Sequence, residues 1–302
     1  MKFNFKNIVC VIACAILLFG TTPTKVSADS GPKPSVQIAF EGVGDEVCYA
    51  TLLSKTPSTG PHSVWDGDPD NIQDSGLEYS VWSAFVNYKD SDGFYFLQVI
   101  WRVDEGKALS WNYYPPKTFK VLMYYPQSKT FVVSDIYEKY AFDSYFTVSL
   151  KGIDIESVKV EGATVSQKLK VTKSYQWGLE VVSLVARILI TIAIEIAIAF
   201  LFGLKKRKQL LLLMGVNTIT QILLNVFLNV VNYRSGPSTF ITNYISIELA
   251  IIAIEAVLYC FLLKRISEVK KPNWFYVVYE ISANLISFFG GLAVAFVVPG
   301  IF

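Results

Sequence analysis

The sequence predicts a three-part chain: an N-terminal signal peptide, an all-β extracytoplasmic domain of sandwich type, and an all-α four-helix transmembrane bundle. Three observations predict it. Four apolar runs, 178–204, 209–231, 245–263 and 274–298, each approach or exceed the roughly 20 residues that cross a hydrocarbon core about 30 Å thick. Ahead of them the composition turns to short aromatic and β-branched runs punctuated by Gly, Pro, Asp and Ser. Hydrophobic residues make up 52% of the 302, with a mean hydropathy of +0.40, more apolar than an ordinary soluble protein.

The first segment, 1–28, has Lys2 and Lys6, an apolar run from Ile8 to Gly20, and small residues at Val26-Ser27-Ala28. That is the plan of a secretory signal peptide, and it predicts a mature chain beginning near Asp29. Val11-Ile12-Ala13-Cys14 has the form of a lipobox, but the apolar run continues past Cys14 to Phe19, where a lipobox would already have ended it. An uncleaved anchor is the alternative.

The second segment, 29–173, is predicted to be the β domain. Its strands are expected at Val36–Phe40, Val47–Leu53, Phe94–Val103, Phe119–Tyr125, Thr130–Ser134, Tyr145–Leu150, Ser157–Val160 and Lys168–Thr172, and Tyr79–Tyr88 is expected to be a helix. Turn clusters such as Asp90-Ser91-Asp92-Gly93 and Tyr114-Pro115-Pro116 separate the strands, a spacing that favours an antiparallel sandwich. Trp101 and Phe119 are expected in its core. Of the four cysteines only Cys48 lies in this domain, so core burial without an internal disulfide must hold it together. Asp66, Asp68 and Asp70, with Asp74, alternate in the loop Pro61–Gly76 and form a weak candidate for a hard cation. Pro69, Asn71 and the lack of a glutamate at the twelfth position break the calcium-loop pattern, so a solvated acidic loop is the default. Trp65, Trp82, Trp101, Trp111 and Tyr113 have the chemistry to stack on a carbohydrate or peptide, although aromatics at strand spacing generally belong to a core.

The third segment, 174–302, is the predicted bundle. At 100° per residue, Glu180, Ser183, Arg187, Thr191 and Glu195 share one side of the first helix, and Asn217, Gln221, Asn225 and Asn229 repeat at i, i+4 on the second. Glu248, Glu255 and Tyr259 do so on the third, and Glu280, Asn284, Ser287 and Gly291 on the fourth. An ionisable group at mid-membrane costs about 2.5–3.5 kcal/mol on insertion scales, so all four stripes must face one another. Glu195, Gln221, Glu255 and Asn284 are expected inside at similar depth, and Glu248 is the expected partner of Arg187. Amide and hydroxyl groups would glue the helices together; the surplus of glutamates over one arginine also suits proton or cation binding.

Orientation follows from the basic residues. Lys205-Lys206-Arg207-Lys208 and Lys264, Arg265, Lys270 and Lys271 fill two loops, 205–208 and 264–271, which the positive-inside rule assigns to the cytoplasm of a bacterial cell; the β domain and the C-terminus would then lie outside. A net charge of +2 gives no hint of a nucleic-acid partner, and the lipid bilayer is the expected surrounding. Catalytic constellations are not found. The only histidine is His62, the last aspartate is Asp154, and no phosphate-binding Gly-rich loop occurs, so neither an enzyme nor a cofactor is expected.

The order Asn217…Thr220-Gln221…Asn225, Glu248…Glu255…Tyr259 and Ala283-Asn284…Ser287 resembles an uncharacterised family of bacterial multi-pass membrane proteins. Tyr49-Ala50-Thr51-Leu52-Leu53-Ser54, Ser58-Thr59-Gly60-Pro61 and Tyr140-Ala141-Phe142-Asp143-Ser144-Tyr145-Phe146 resemble its extracytoplasmic β-rich part. The resemblance implies an architecture and no activity. Two functional readings follow: an outer β domain that binds a protein or carbohydrate ligand while the bundle anchors or relays that event, or a proton- or cation-coupled carrier or channel using the membrane glutamates.

Overall fold

The computed structural model describes residues 32–72, 78–153, 169–175 and 177–297, in two compact units that meet in sequence between Tyr175 and Trp177. The expected signal peptide and the expected strand Ser157–Val160 lie outside the described residues.

In the first unit, β1 (Ser35–Glu41), β6 (Leu109–Trp111), β10 (Asp143–Ser149) and β11 (Lys170–Lys173) form one sheet in the order β11-β10-β1-β6. A second sheet runs β5-β2-β7-β8, from β5 (Trp101–Arg102), β2 (Tyr49–Ser54), β7 (Thr118–Tyr125) and β8 (Thr130–Val133), with β9 (Tyr137–Glu138) also pairing with β7. Two short strands, β3 (Ser58–Thr59) and β4 (His62–Ser63), form a separate hairpin around Gly60, whose φ of +53° favours a residue without Cβ. Pairing is antiparallel except between β1 and β10, which run parallel from Ser35↔Asp143 to Glu41↔Ser149.

Alternation places Val36, Ile38 and Phe40 of β1 and Phe146 and Val148 of β10 in one core with Ala50, Leu52, Phe119, Val121 and Met123 of the second sheet. The opposite face of that second sheet is also covered. Leu53, Leu122, Tyr124 and Phe131 pack under α1 (Tyr79–Asn87) through Val81, Trp82 and Phe85. A central strand covered on both sides cannot alternate between core and water, and β7 is accordingly buried at every position after Thr118.

The sequence expectations need two corrections here. Phe94–Val103 is not one strand. Gln98 takes a φ of +62°, which breaks an extended run, and Phe94, Phe96 and Ile100 join the core beneath α1, leaving Trp101–Arg102 and a bridge from Tyr95 to Ser54. Trp101 is only half-buried, whereas Phe119 is wholly buried.

The second unit contains α2 (Trp177–Leu201), α3 (Arg207–Ser235), α4 (Pro237–Ile266) and α5 (Asn273–Val297). With α1, the described residues hold five α-helices. Each of the four packs on the next, and α5 closes the ring against α2. Three helices, Trp177–Leu201, Arg207–Ser235 and Asn243–Ile266, are long and apolar enough to cross a membrane. The fourth, α5, carries Asn273, Tyr276, Tyr279, Glu280 and Asn284 in its first half, which lowers its hydropathy there. The predicted loop Asn232–Tyr244 is almost entirely helical, because Gly236 at φ +79° caps α3 with its N–H on the Asn232 carbonyl and Pro237 then starts α4 at the position proline favours.

Many exposed positions along these helices are apolar. Val181, Val185 and Leu189 of α2, Ile219, Leu223 and Val230 of α3, Ile245 and Leu249 of α4, and Ile281, Leu285 and Phe289 of α5 all face outward. Of the predicted stripes, Ser183, Thr191, Glu195, Asn217, Gln221, Asn225, Glu255, Tyr259, Glu280, Asn284 and Ser287 are buried, while Glu180, Arg187, Asn229 and Glu248 are half-buried.

Candidate functional site

The site grows out of the antiparallel register of α2 and α3. Arg187 Nη1 donates to Asn225 Oδ1 at 2.8 Å, and Asn217 Nδ2 donates to Glu195 Oε2. Both bonds join residues spaced eight apart on their own helix, so the two stripes run in step and Thr191 and Gln221 stand opposite one another midway. Thr191, Glu195, Asn217, Gln221 and Asn225 are all buried.

From α4, Glu255 enters fully buried. It accepts from Thr220 Oγ1 at 2.5 Å and from Asn284 Nδ2 at 3.4 Å. The same Asn284 amide donates to Glu280 Oε1, so one amide joins the Glu255 and Glu280 carboxyls. Asn217 Nδ2 also donates to the Tyr259 hydroxyl at 3.1 Å, and the Tyr279 hydroxyl donates to the Glu195 carbonyl at 3.4 Å. A single polar cluster thus contains three carboxyls, from Glu195, Glu255 and Glu280, held by Asn217, Thr220 and Asn284. Glu195 Oε1 and Glu280 Oε2 are buried with no hydrogen-bond partner among the described residues.

Glu195, Gln221, Glu255 and Asn284 are thus all inside, at 1%, 7%, 0% and 6% exposure. The expected Arg187–Glu248 ion pair does not form. Glu248 is half-buried, while the Arg187 guanidinium donates to the Asn225 amide oxygen. The α2–α3 register explains the difference: Asn225 stands eight residues from the Asn217 that meets Glu195, which brings it level with Arg187. Arg187 lies eight residues from Glu195 along α2, a rise of about 12 Å, so it does not neutralise the carboxyl cluster by contact.

Sequence reasoning missed Tyr276 and Tyr279, both 0% exposed beside Glu280. Their signal was the spacing, at four and one residues before that glutamate. It also missed a buried ion pair in the β unit, where Lys120 Nζ meets Asp90 Oδ1 at 2.8 Å and Asp92 Oδ2 at 2.5 Å, with Lys120 itself 3% exposed.

The acidic loop has a local use. The Asp66 carboxylate accepts from the Asp68 N–H at 3.0 Å and from Asn71 Nδ2 at 2.7 Å, and Asp68 accepts from the Asp70 N–H at 3.0 Å. These bonds hold the Asp66 carboxyl below its ordinary range, the Asp68 N–H contributing most. Among the described residues no three His, Cys, Asp or Glu side chains are placed to hold a metal ion. Of the aromatic candidates, Trp82 and Trp111 lie in the two cores, and Trp65 rests edge-on against Trp82 with its Nε1 donating to the Asp68 carbonyl.

No family model, curated protein or solved structure matches the chain, so the functional reading rests on this geometry.

Proposed function

We propose that the chain is a multi-pass membrane protein whose four-helix bundle, α5 included, takes up and releases protons at the Glu195, Glu255 and Glu280 cluster. The observation that carries this is the Glu255–Glu280 carboxyl pair, fully buried, joined by Asn284 and hydrogen-bonded to no Lys, Arg or His side chain among the described residues. A purely structural polar core would be built most economically from amides and hydroxyls, as Asn225 and Gln221 are, since each intramembrane carboxyl opposes insertion. A proton needs only the carboxyl oxygens of this cluster, two of which have no hydrogen-bond partner among the described residues. In this reading the β unit is extracytoplasmic, the basic loops 205–208 and 264–271 face the cytoplasm, and 1–28 is the export signal.

The test is reconstitution into potassium-loaded liposomes with a pH-sensitive dye inside and valinomycin to set the potential. Internal pH should change faster with the protein than in protein-free vesicles, and Glu255→Gln and Glu280→Gln should each slow the change at least tenfold. Flux equal to that of empty vesicles, or unchanged in both variants, would refute the proposal.

A second reading, capture of a protein or carbohydrate by the β unit, draws support from Tyr79, which is 67% exposed and stacked on Trp82 at 5.6 Å. A binding partner lost in Tyr79→Ser would favour it.

A further inference from the structure

The two ends of the carboxyl cluster differ. Toward the loop Lys205–Lys208, the next residues are Ile198, Ala199, Leu204, Leu213, Leu263 and Tyr276, which pack with Tyr259 and Tyr279 into one apolar cluster. Leu213 is 1% exposed, Leu263 0% and Tyr276 0%, so this end is a packed apolar layer, with the buried Gln209–Ser267 hydrogen bond beside it. Toward the end at which α2 begins, the lining continues polar through Gln221, Asn225, Arg187 and Ser183, with Ser287 on α5. Toward this end Arg187, Glu248 and Asn229 are half-buried, while Ser183, Gln221, Asn225 and Ser287 are buried. Among the described residues, the apolar cluster at this end is Leu224, Leu228 and Ile251 with Tyr244 and Ile247.

We infer that the carboxyl cluster is reached from one membrane face only, the face at which α2 begins, through the path Ser183–Arg187–Asn225–Gln221, and that the Leu213–Leu263–Tyr276 plug closes the other. The bundle is then a gated carrier and not an open pore. Orphaned oxygens on Glu195 and Glu280 inside the cluster mark where the arriving proton is accepted. The titratable and charged groups facing that site are Arg187 and Glu195 from α2, Tyr244, Glu248, Glu255 and Tyr259 from α4, and Tyr276, Tyr279 and Glu280 from α5; α3 supplies only amides and hydroxyls. Arg187 lies on the path as a fixed positive charge bonded to Asn225, an electrostatic barrier that any entering cation, the proton included, must pass. This inference rests on the proton reading for its cargo, but not for its geometry.

The experiment uses the full-length chain with its four native cysteines replaced and single cysteines introduced at Ser183, Asn225 and Ser287 on the path and at Leu213 and Leu263 in the plug. Vesicles are exposed on one side to a membrane-impermeant trimethylammonium methanethiosulfonate, and trypsin cleavage in the Lys205–Lys208 loop reports which face is outward. Ser183→Cys, Asn225→Cys and Ser287→Cys should label at least tenfold faster from the face where α2 begins, with Leu213→Cys and Leu263→Cys protected from both faces. Three path positions guard against one variant failing to fold. Labelling of the plug positions, labelling of the path from the loop face, or no labelling of any path position would each overturn the inference. One-sided labelling in a protein that passes no protons would leave the geometry standing and remove the cargo.

Discussion

At the scale of single residues, the β unit buries an ion pair, Lys120 with Asp90, whose behaviour follows from its contacts. Asp90 accepts from Lys120 and also from the backbone N–H of Asp92 at 3.0 Å and of Phe94 at 3.2 Å, so it serves the ion pair and the turn together. Removing one partner of a buried pair typically costs about 3–5 kcal/mol, because the other charge is left without compensation. Asp90→Ala should therefore lower the midpoint of urea unfolding far more than Asp104→Ala, which touches only the exposed side chains of Arg102 and Lys107. Burial alone would depress the Lys120 ammonium, yet hydrogen bonds and charge from Asp90 and Asp92 outweigh it and raise it. A raised folded-state value means that the contribution is complete below the unfolded lysine value of about 10.4 and is lost as pH rises through the folded one. Lys120→Met should thus lack that part of the alkaline loss of stability seen in the native protein. Cys48 gives a second residue-scale prediction. Burial, with Glu46 nearby, pushes its thiol up to about 11, so it should resist iodoacetamide at pH 8 until the β unit is unfolded.

At the scale of elements, helices were far more legible in the sequence than strands, for a physical reason. A membrane helix must bury every polar side chain on one stripe, so Glu195, Asn217, Glu255 and Asn284 announced both their helices and their inward direction. The hydrogen-bond partners were less legible. Whether Arg187 meets Glu248 or Asn225 depends on side-chain reach between helices, which spacing along one helix does not encode. In the β unit, period-two alternation failed for β7 because both its faces are covered, and aromatic content drew Phe94–Val103 into a strand although Gln98 turns the chain there. Helix packing itself makes a prediction. A Cβ added at Gly290 of α5 would stand 2.7 Å from Ile194 Cδ1 of α2. That atom is the end of a flexible side chain, so Gly290→Ala should be tolerated with a small shift, whereas Gly290→Leu should wedge α2 from α5 and cost about 1–3 kcal/mol. Thermal unfolding in detergent, followed by tryptophan fluorescence, would show the difference, and equal melting of the two variants would show that α2 and α5 do not pack closely there.

At the scale of the whole molecule, the two units bury opposite chemistry. The β unit hides Phe, Trp, Val and Leu in two cores on either side of its second sheet, and its described surface carries most of its charge. The bundle hides Glu, Asn, Gln and Tyr and turns Leu, Val, Ile and Phe outward. Each arrangement is stable only in its own solvent, because exposed apolar area is unfavourable in water and unsatisfied polar groups are unfavourable in hydrocarbon. Separate expression should reveal this division. Residues 32–175 should be soluble without detergent, give a circular-dichroism spectrum dominated by β structure with a small helical part from Tyr79–Asn87, and stay folded in reductant, since Cys48 is a free buried thiol. Residues 176–302 should precipitate in water and give a strongly helical spectrum in detergent. Their outward faces alone, with Leu189, Leu223 and Phe289 each more than 60% exposed, require an apolar surrounding. A helical spectrum for 32–175, or a bundle that remained monomeric in buffer, would break the assignment of the two units to two solvents and, with it, the reason the glutamates must face one another.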